Sequence, residues 1–432
     1  MIDIDDLQGW FSETLPKLDC NGHKSGRDWL GRFKGGRDGS PKNAREALKV
    51  LLCAVESKSL VVGITYAGLH RLGLSSGLLG LFPDEFIVGA AARASALNDD
   101  PSTWDHGLDR NPPDLVLMSN NCIRPTTAIQ FTDRRLEDKQ SQFAKEGPSD
   151  DAQDDDYVSG HSERCVNTFL RDDGTEVFGF KDGTSNPPLL GEPGNMSFEG
   201  GVPIGSKTAT PKWKPLAAGE IIFGYPNEAG VLPGNRALHG LLRNGSFLVW
   251  RKIEQNKVLF DQHFGCNAEK IMGRKKEDKN NKFGYSLDSA VSANSHIRRA
   301  NPRNGEFFCE TDENDPNRHR MIRRSRSYEE KRMRLDANHE MKEIDVVGMI
   351  FRCYQTSIAA QFEFVQSKWF NEGTQFRQGR TPDPIVGQPG KYGKSDSDPI
   401  PITTVLGTVY AFVPSISVLT LLAETPCRWS DV

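Results

Sequence analysis

Apolar positions at helical spacing first appear after residue 42. Ala44, Ala47, Leu48, Leu51, Leu52 and Val55 line one face of a predicted helix. Asn43 stands where a cap belongs, and Glu46 three residues later completes a capping-box pattern. Residues 1–42 are polar and rich in Gly, Lys and Arg, which predicts an arm with little regular structure or one laid against another element. Val61–Tyr66 is a β-type run. Phe82–Phe86 opens a helix running through Ala90–Ala96, with Asp84 and Glu85 in its first turn to suit the helix dipole. Asp114–Met118 reads as a buried strand, Glu220–Glu228 as a strand ending in a turn, and Gly245–Ile253 as a strong strand. Residues 267–293 read as helical and then polar. Val346–Tyr354 reads as a strand leading into a helix over Ile358–Gln366, with further apolar runs at 404–414 and 417–422. Strands and helices mix without regular βαβ alternation, which predicts an α+β fold with antiparallel sheet.

Polar stretches divide this pattern. The Gly/Pro-rich connector at 187–215 is the strongest punctuation in the chain. It predicts an arm over 1–42, a first domain over 43–200 and a second over 201–432. Asp150, Asp151, Asp154, Asp155 and Asp156 lack the Gly and terminal Glu of a calcium loop and read as a solvated acidic loop.

Composition narrows the function classes. With 432 residues the chain can bury a substantial core, and a net charge of −4 gives no global field toward nucleic acid or membrane. No apolar run reaches the roughly 18 residues of a membrane span. The N-terminal stretch is acidic where a secretory leader would be basic and then apolar, so the expected compartment is the cytoplasm, with secretion as the alternative. The cysteines (Cys20, Cys53, Cys122, Cys165, Cys266, Cys309, Cys353 and Cys427) form no Cys-x-x-Cys pair. That excludes a zinc ribbon, a redox dithiol and covalent haem attachment through Cys-x-x-Cys-His, and they read as small buried hydrophobes.

Three segments carry candidate chemistry. In Val177–Pro187, Gly179 and Gly183 flank Asp182, so a tight bend presents one carboxylate after two aromatic residues. Taken alone, this run is also an ordinary Gly-Asp turn. His296 lies in the run His-Ile-Arg-Arg-Ala-Asn-Pro-Arg, where neighbouring cations favour a neutral imidazole able to ligate a metal. The basic segment 298–334 could alternatively bind phosphate, although no Walker loop, zinc finger or RNP pair accompanies it.

Together these segments resemble the dye-decolorizing peroxidases, a haem family marked by Gly-Phe-x-Asp-Gly, here residues 179–183. Phe82–Ala96, Phe223–Glu228, Gly245–Glu254, His296–Arg303, Met321–Tyr328, Gln361–Trp369 and Asp383–Gly387 follow in the family's order, and the insertions resemble its longer bacterial and fungal subgroup. Glu329 departs from a Gly that many members carry there. The resemblance implies two ferredoxin-like modules with antiparallel sheets, of the dimeric α+β barrel type, with one haem b per chain in the C-terminal module. It implies His296 as the iron ligand, Asp383 as the acceptor for its other ring nitrogen, and Asp182 and Arg323 as the catalytic pair on the opposite face. Met349 and Phe351 would be apolar neighbours of the haem, and Arg303 would bind a propionate. Tyr328 and Trp369 fall where family members carry possible surface electron relays. The implied activity is peroxide-dependent oxidation of dyes, phenols and other one-electron donors through a ferryl porphyrin-radical state. A carboxylate base implies an acidic optimum. The alternative is a haem carrier or an agent that removes iron from haem. Expected partners are hydrogen peroxide and aromatic reductants, with no nucleic acid or membrane and a possible homo-oligomer.

Overall fold

The computed structural model describes residues 25–33, 41–56, 60–105, 108, 112–119, 129–131, 165–182, 186–187, 189–190, 215–276, 292, 294–300, 316–335, 340–373, 381–388 and 402–424. Within them, ten strands form one sheet in which every pairing is antiparallel. They are β1 (Ser25–Phe33), β2 (Leu60–Ile64), β3 (Leu115–Ser119), β4 (Ile129–Phe131), β5 (Cys165–Phe169), β6 (Ser246–Gln255), β7 (Ile322–Arg323), β8 (Arg326–Leu335), β9 (Met341–Gln355) and β10 (Thr403–Val413). The order β3-β2-β10-β6-β9-β8-β5-β1, with β1 pairing back onto β3, closes eight of them into a barrel. Strands β1–β5 come from the first half of the chain and β6–β10 from the second. The β2–β10 and β5–β8 pairings are the seams between the two halves.

Side chains alternate across each strand, so the barrel has an inner and an outer face. Asp28 on β1 reaches inward to Trp250 on β6, whose Nε1 donates to it at 2.8 Å, and to Arg352 on β9, whose Nε donates at 3.0 Å. On the outer face α1 (Pro41–Glu56) buries Ala44, Ala47, Leu48, Leu51, Leu52 and Val55, the stripe read from the sequence. Helix α2 (Asp84–Arg93) sets Phe86 against Phe247 of β6, with ring centroids 5.1 Å apart. Further helices are α3 (Lys257–Phe264), α4 (His296–Ala300) and α5 (Ile416–Glu424).

Several expectations change. The arm contains β1, whose Trp29, Leu30 and Phe33 are buried; its polar composition hides a strand because Asp28 is neutralised inside the barrel. Helix α1 starts at Pro41 and not after Asn43, since proline at a first helical position is preorganised and loses no needed donor. Glu46 pairs with Lys49 at 2.9 Å. Residues 220–228 form no strand: Ala218–Glu220 is a short 3₁₀ turn, and the Phe223 amide bonds Gly245. Gly224, at φ 97°, bends the chain there. The helical run expected from 267 is only Ala268–Met272 among the described residues. The helix after β9 is wide-turned π-helix over Ile358–Glu363 and Val365–Glu372. Of the two described free cysteines, Cys353 is buried but Cys266 is exposed. The acidic loop, the boundary near residue 200 and Arg303 lie outside the described residues.

Candidate functional site

Asp182 comes from a loop that is fastened at several points. The Glu176 amide donates to the Phe180 carbonyl at 2.8 Å, and Gly179 N–H returns to the Glu176 carbonyl at 2.9 Å. Gly179 has φ 92°, a left-handed conformation that a side chain would strain. The Glu176 carboxylate accepts from the amides of Phe178 at 2.9 Å and Phe180 at 3.2 Å and from Gln255 Nε2 at 3.0 Å. Burial pushes its carboxyl up to about 7, these donors oppose that, and the charge of Asp182 adds to it. Phe178 stacks on Phe260 of α3 at 4.1 Å, and Phe180 meets the same ring edge-on at 6.3 Å. The loop is thus held by an aromatic cluster behind it and a buried carboxylate within it.

Arg323 approaches from β7. Its Nη1 lies 3.6 Å from Asp182 Oδ1, and the two side chains are 30% and 29% exposed, so the pair stands at an accessible surface. Asn186 clamps the segments together: its Nδ2 donates to the Arg323 carbonyl at 3.0 Å and its Oδ1 accepts from the Arg323 amide at 2.9 Å. Arg323 is in register with Cys353 on β9. Cross-strand partners share a face, and alternation puts Phe351 and Met349 on it too. Both are half-buried, while Ile350 between them is buried.

His296 begins α4. Its Nδ1 lies 3.0 Å from Asp383 Oδ2, and its amide also donates to that oxygen. Asp383 is fully buried, and its Oδ1 accepts from the amides of Ile385 at 2.8 Å and Val386 at 2.7 Å. Burial alone would raise this carboxyl, but His296 and the two amides outweigh it and hold it below the usual carboxylate range. An ionised Asp383 fixes the ring tautomer, leaving Nε2 as the nitrogen for a metal. Phe370 stands edge-on to the ring at 6.0 Å. Arg299 braces the surrounding turn by donating to the carbonyls of Trp369 at 2.9 Å and Thr381 at 2.7 Å. Burial pushes its guanidinium down to about 10, against the pull of Asp383.

These residues fit a haem. Among the described residues no group of three His, Cys, Asp or Glu side chains could hold a bare metal ion. An imidazole backed by a carboxylate is the ligand type haem iron takes, and His296 with Asp383 is such a pair.

The structure brings Asp182 to Arg323 and Asp383 to His296, and sets Met349 and Phe351 on Arg323's face. Tyr328 and Trp369 are elsewhere: they are 0% and 1% exposed, so neither presents a surface to a donor. Tyr328 points inside the barrel with the Lys252 ammonium 4.9 Å over its ring. Much of the basic segment's charge in its described part is turned inward or paired. Arg298, Arg299, Arg320 and Arg326 are buried, and Arg332 and Arg334 pair with carboxylates. Sequence reasoning missed Glu176, Asn186, Arg299 and Phe370; only Glu176 and Asn186 carried a signal, being within or beside the glycine-flanked run.

Residues 238–378 match the C-terminal model of the Dyp-type peroxidases. The chain is 26% identical over 443 aligned residues to the multifunctional dye peroxidase DyP2 of an Amycolatopsis species, covering 90% of this chain and 88% of the relative. A decolorizing peroxidase from Auricularia auricula-judae superposes with a TM-score of 0.62 at 20% identity, over 93% of this chain and 97% of that one. A dye-decolorizing peroxidase in complex with 2,6-dimethoxyphenol gives 0.61 at 20% identity, over 93% and 96%. At such identities the structural likeness establishes the fold, an α+β fold of ferredoxin-like type.

Proposed function

The chain belongs to the Dyp-type peroxidase family, and from that premise we propose that it is a haem peroxidase using hydrogen peroxide to oxidise dyes, phenols and other one-electron donors. The observation that carries this reading is the Asp182–Arg323 pair, assembled from two distant segments at 3.6 Å. A haem carrier needs neither group.

His296 would hold one haem b per chain, oriented by Asp383, and the lack of a Cys-x-x-Cys-His run leaves that haem without covalent attachment through cysteine. Bound there, haem would supply an iron and a macrocycle able to hold the two oxidising equivalents that peroxide provides. The protein's own groups handle the peroxide. Asp182 accepts the proton of one peroxide oxygen and returns it to the other, so that the O–O bond breaks heterolytically. Arg323 stabilises the negative charge developing on the leaving oxygen and cannot itself be the proton donor. Phe351 and Met349 exclude bulky donors from this face, so dyes are oxidised from outside it. Met349 there is exposed to oxidation to the sulfoxide.

An absorption spectrum of the haem-loaded protein, before and after one equivalent of peroxide, tests the proposal. A histidine-ligated ferric spectrum that changes at once with peroxide is expected, and His296→Ala should lose haem. A normal haem spectrum that peroxide leaves unchanged would overturn it.

A further inference from the structure

We propose that Arg274 is a positioning residue for the peroxide chemistry. It fixes the peptide leading into Asp182, and the segment that carries it ties the acid's loop to the turn that begins with His296. This rests on the peroxidase reading above, which gives Asp182 its role.

Arg274 is buried, and its Nη1 donates to the Lys181 carbonyl at 2.9 Å. At the other end of the same peptide unit, the Asp182 amide donates to the Gly174 carbonyl at 3.2 Å. Both polar ends of the peptide that enters Asp182 are therefore bonded, one of them by a cation. A charge-assisted bond of this kind is stronger than a neutral one. With that peptide held, the Asp182 backbone is held. Only side-chain torsions then bring its carboxylate to Arg323 at 3.6 Å. Lys276, two residues beyond Arg274, sets its ammonium 5.6 Å over the Phe180 ring, so the same segment also covers the loop's buried aromatic.

The segment reaches the other half of the site as well. Arg274 follows the short helix Ala268–Met272, and its amide returns to the Glu269 carbonyl at 3.2 Å. In that helix the Ile271 carbonyl accepts the hydroxyl of Ser295, the residue before His296. The Lys270 carbonyl accepts the Ser292 amide at 2.9 Å. Ile271 and Met272 share one buried cluster with Phe178 and Phe180 of the Asp182 loop and with Ile385, from the turn in which Asp383 holds His296. Among the described residues this cluster is separate from the core around the barrel. A close-packed block moves as a unit, so it sets the separation of the groups seated on it. The chemistry needs that precision. Asp182 must lie within hydrogen-bond reach of a peroxide oxygen, and a misplacement of about 1 Å costs on the order of 10²-fold in rate.

Stopped-flow mixing of holoprotein with peroxide tests this, alongside amide hydrogen exchange over residues 176–182 measured without peroxide. Arg274→Met keeps the apolar stem and removes the donor. It should slow the optical response to peroxide by about 10–100-fold, speed exchange in the loop and leave the resting haem spectrum unchanged. Arg274→Lys can still donate and should recover most of both. In an Asp182→Asn background, Arg274→Met should slow the response no further, because it acts through Asp182. Arg274→Gln, polar but too short to reach the carbonyl, takes the place of Arg274→Met should that variant fail to fold. Wild-type rate or exchange in the donor-free variant overturns the proposal and leaves the peroxidase reading standing. So does a lysine variant no better than methionine, or an equal slowing in the Asp182→Asn background. An Asp182→Asn protein that reacts as fast as the wild type removes the acid from the peroxidase reading, and this proposal with it.

Discussion

At Arg323 a guanidinium and a carboxylate meet at an accessible surface, where neither is needed to stabilise the other. The role proposed for Arg323 is charge stabilisation during bond cleavage. Arg323→Leu should slow the reaction with peroxide by about 10²–10³-fold, the range for removing one such donor, with the haem spectrum retained; stopped-flow mixing reads both. An unchanged rate would take Arg323 out of the mechanism. Glu176 acts differently, through the loop it holds. Its carboxyl is raised from an ordinary 4.5 to about 7, chiefly by burial. Between those values the folded chain keeps a proton that the unfolded chain has released, so stability falls as pH rises through this window and levels off above it. The contribution is on the order of 3 kcal/mol. Glu176→Gln should flatten the profile, measured by chemical denaturation at pH 5 and pH 8; an identical slope in the variant would mean that the group does not titrate there.

The element that presents Asp182 depends on one backbone angle. Gly179 at φ 92° turns the chain between Phe178 and Phe180, both buried against α3. Gly179→Ala should cost about 1–2 kcal/mol of stability, the penalty for an L-residue in a left-handed conformation. Peroxide reactivity should fall further than that loss explains, because a relaxed loop carries Asp182 away from Arg323. Thermal denaturation and rapid mixing on the same sample separate the two, and full reactivity in the variant would show that the bend does not position the acid. The π-helix is a second element whose width matters. It places Phe362 against Phe351 and the next residue, Glu363, against Tyr410. Wide turns of this kind recur at functional sites.

At the scale of the molecule, the barrel closes through β1, and Asp28 is the charge that makes a polar first strand compatible with an interior. It faces the buried guanidinium of Arg352 and the Trp250 indole. Asp28→Ala leaves that guanidinium without its counterion, and removing one partner of a buried pair costs about 3–5 kcal/mol. Denaturant titration should show that loss, with Arg352→Met in the same background recovering part of it. A loss below about 1 kcal/mol would mean that water reaches the site and the interior is not dry.

Periodicity along the chain determined the α1 face, the strands read at 61–66, 114–118, 245–253 and 346–354, which the structure places within a few residues of those bounds, and the antiparallel α+β character. These are properties of neighbouring residues, and side-chain spacing reports them directly. The glycine-flanked Asp182 and the basic runs holding His296 and Arg323 were visible as segments, but the roles expected of them came only from the family resemblance. Arg303 lies outside the described residues. Only the tertiary structure decided that β1 belongs to the barrel, that Tyr328 is sealed inside it, and that Glu176, Asn186 and Glu363 act on groups far from or merely adjacent to them. Each of those outcomes depends on which distant segments become neighbours. Common residue types such as Glu, Asn and Tyr acquire their roles from that neighbourhood, through burial and hydrogen-bond partners that local spacing does not encode.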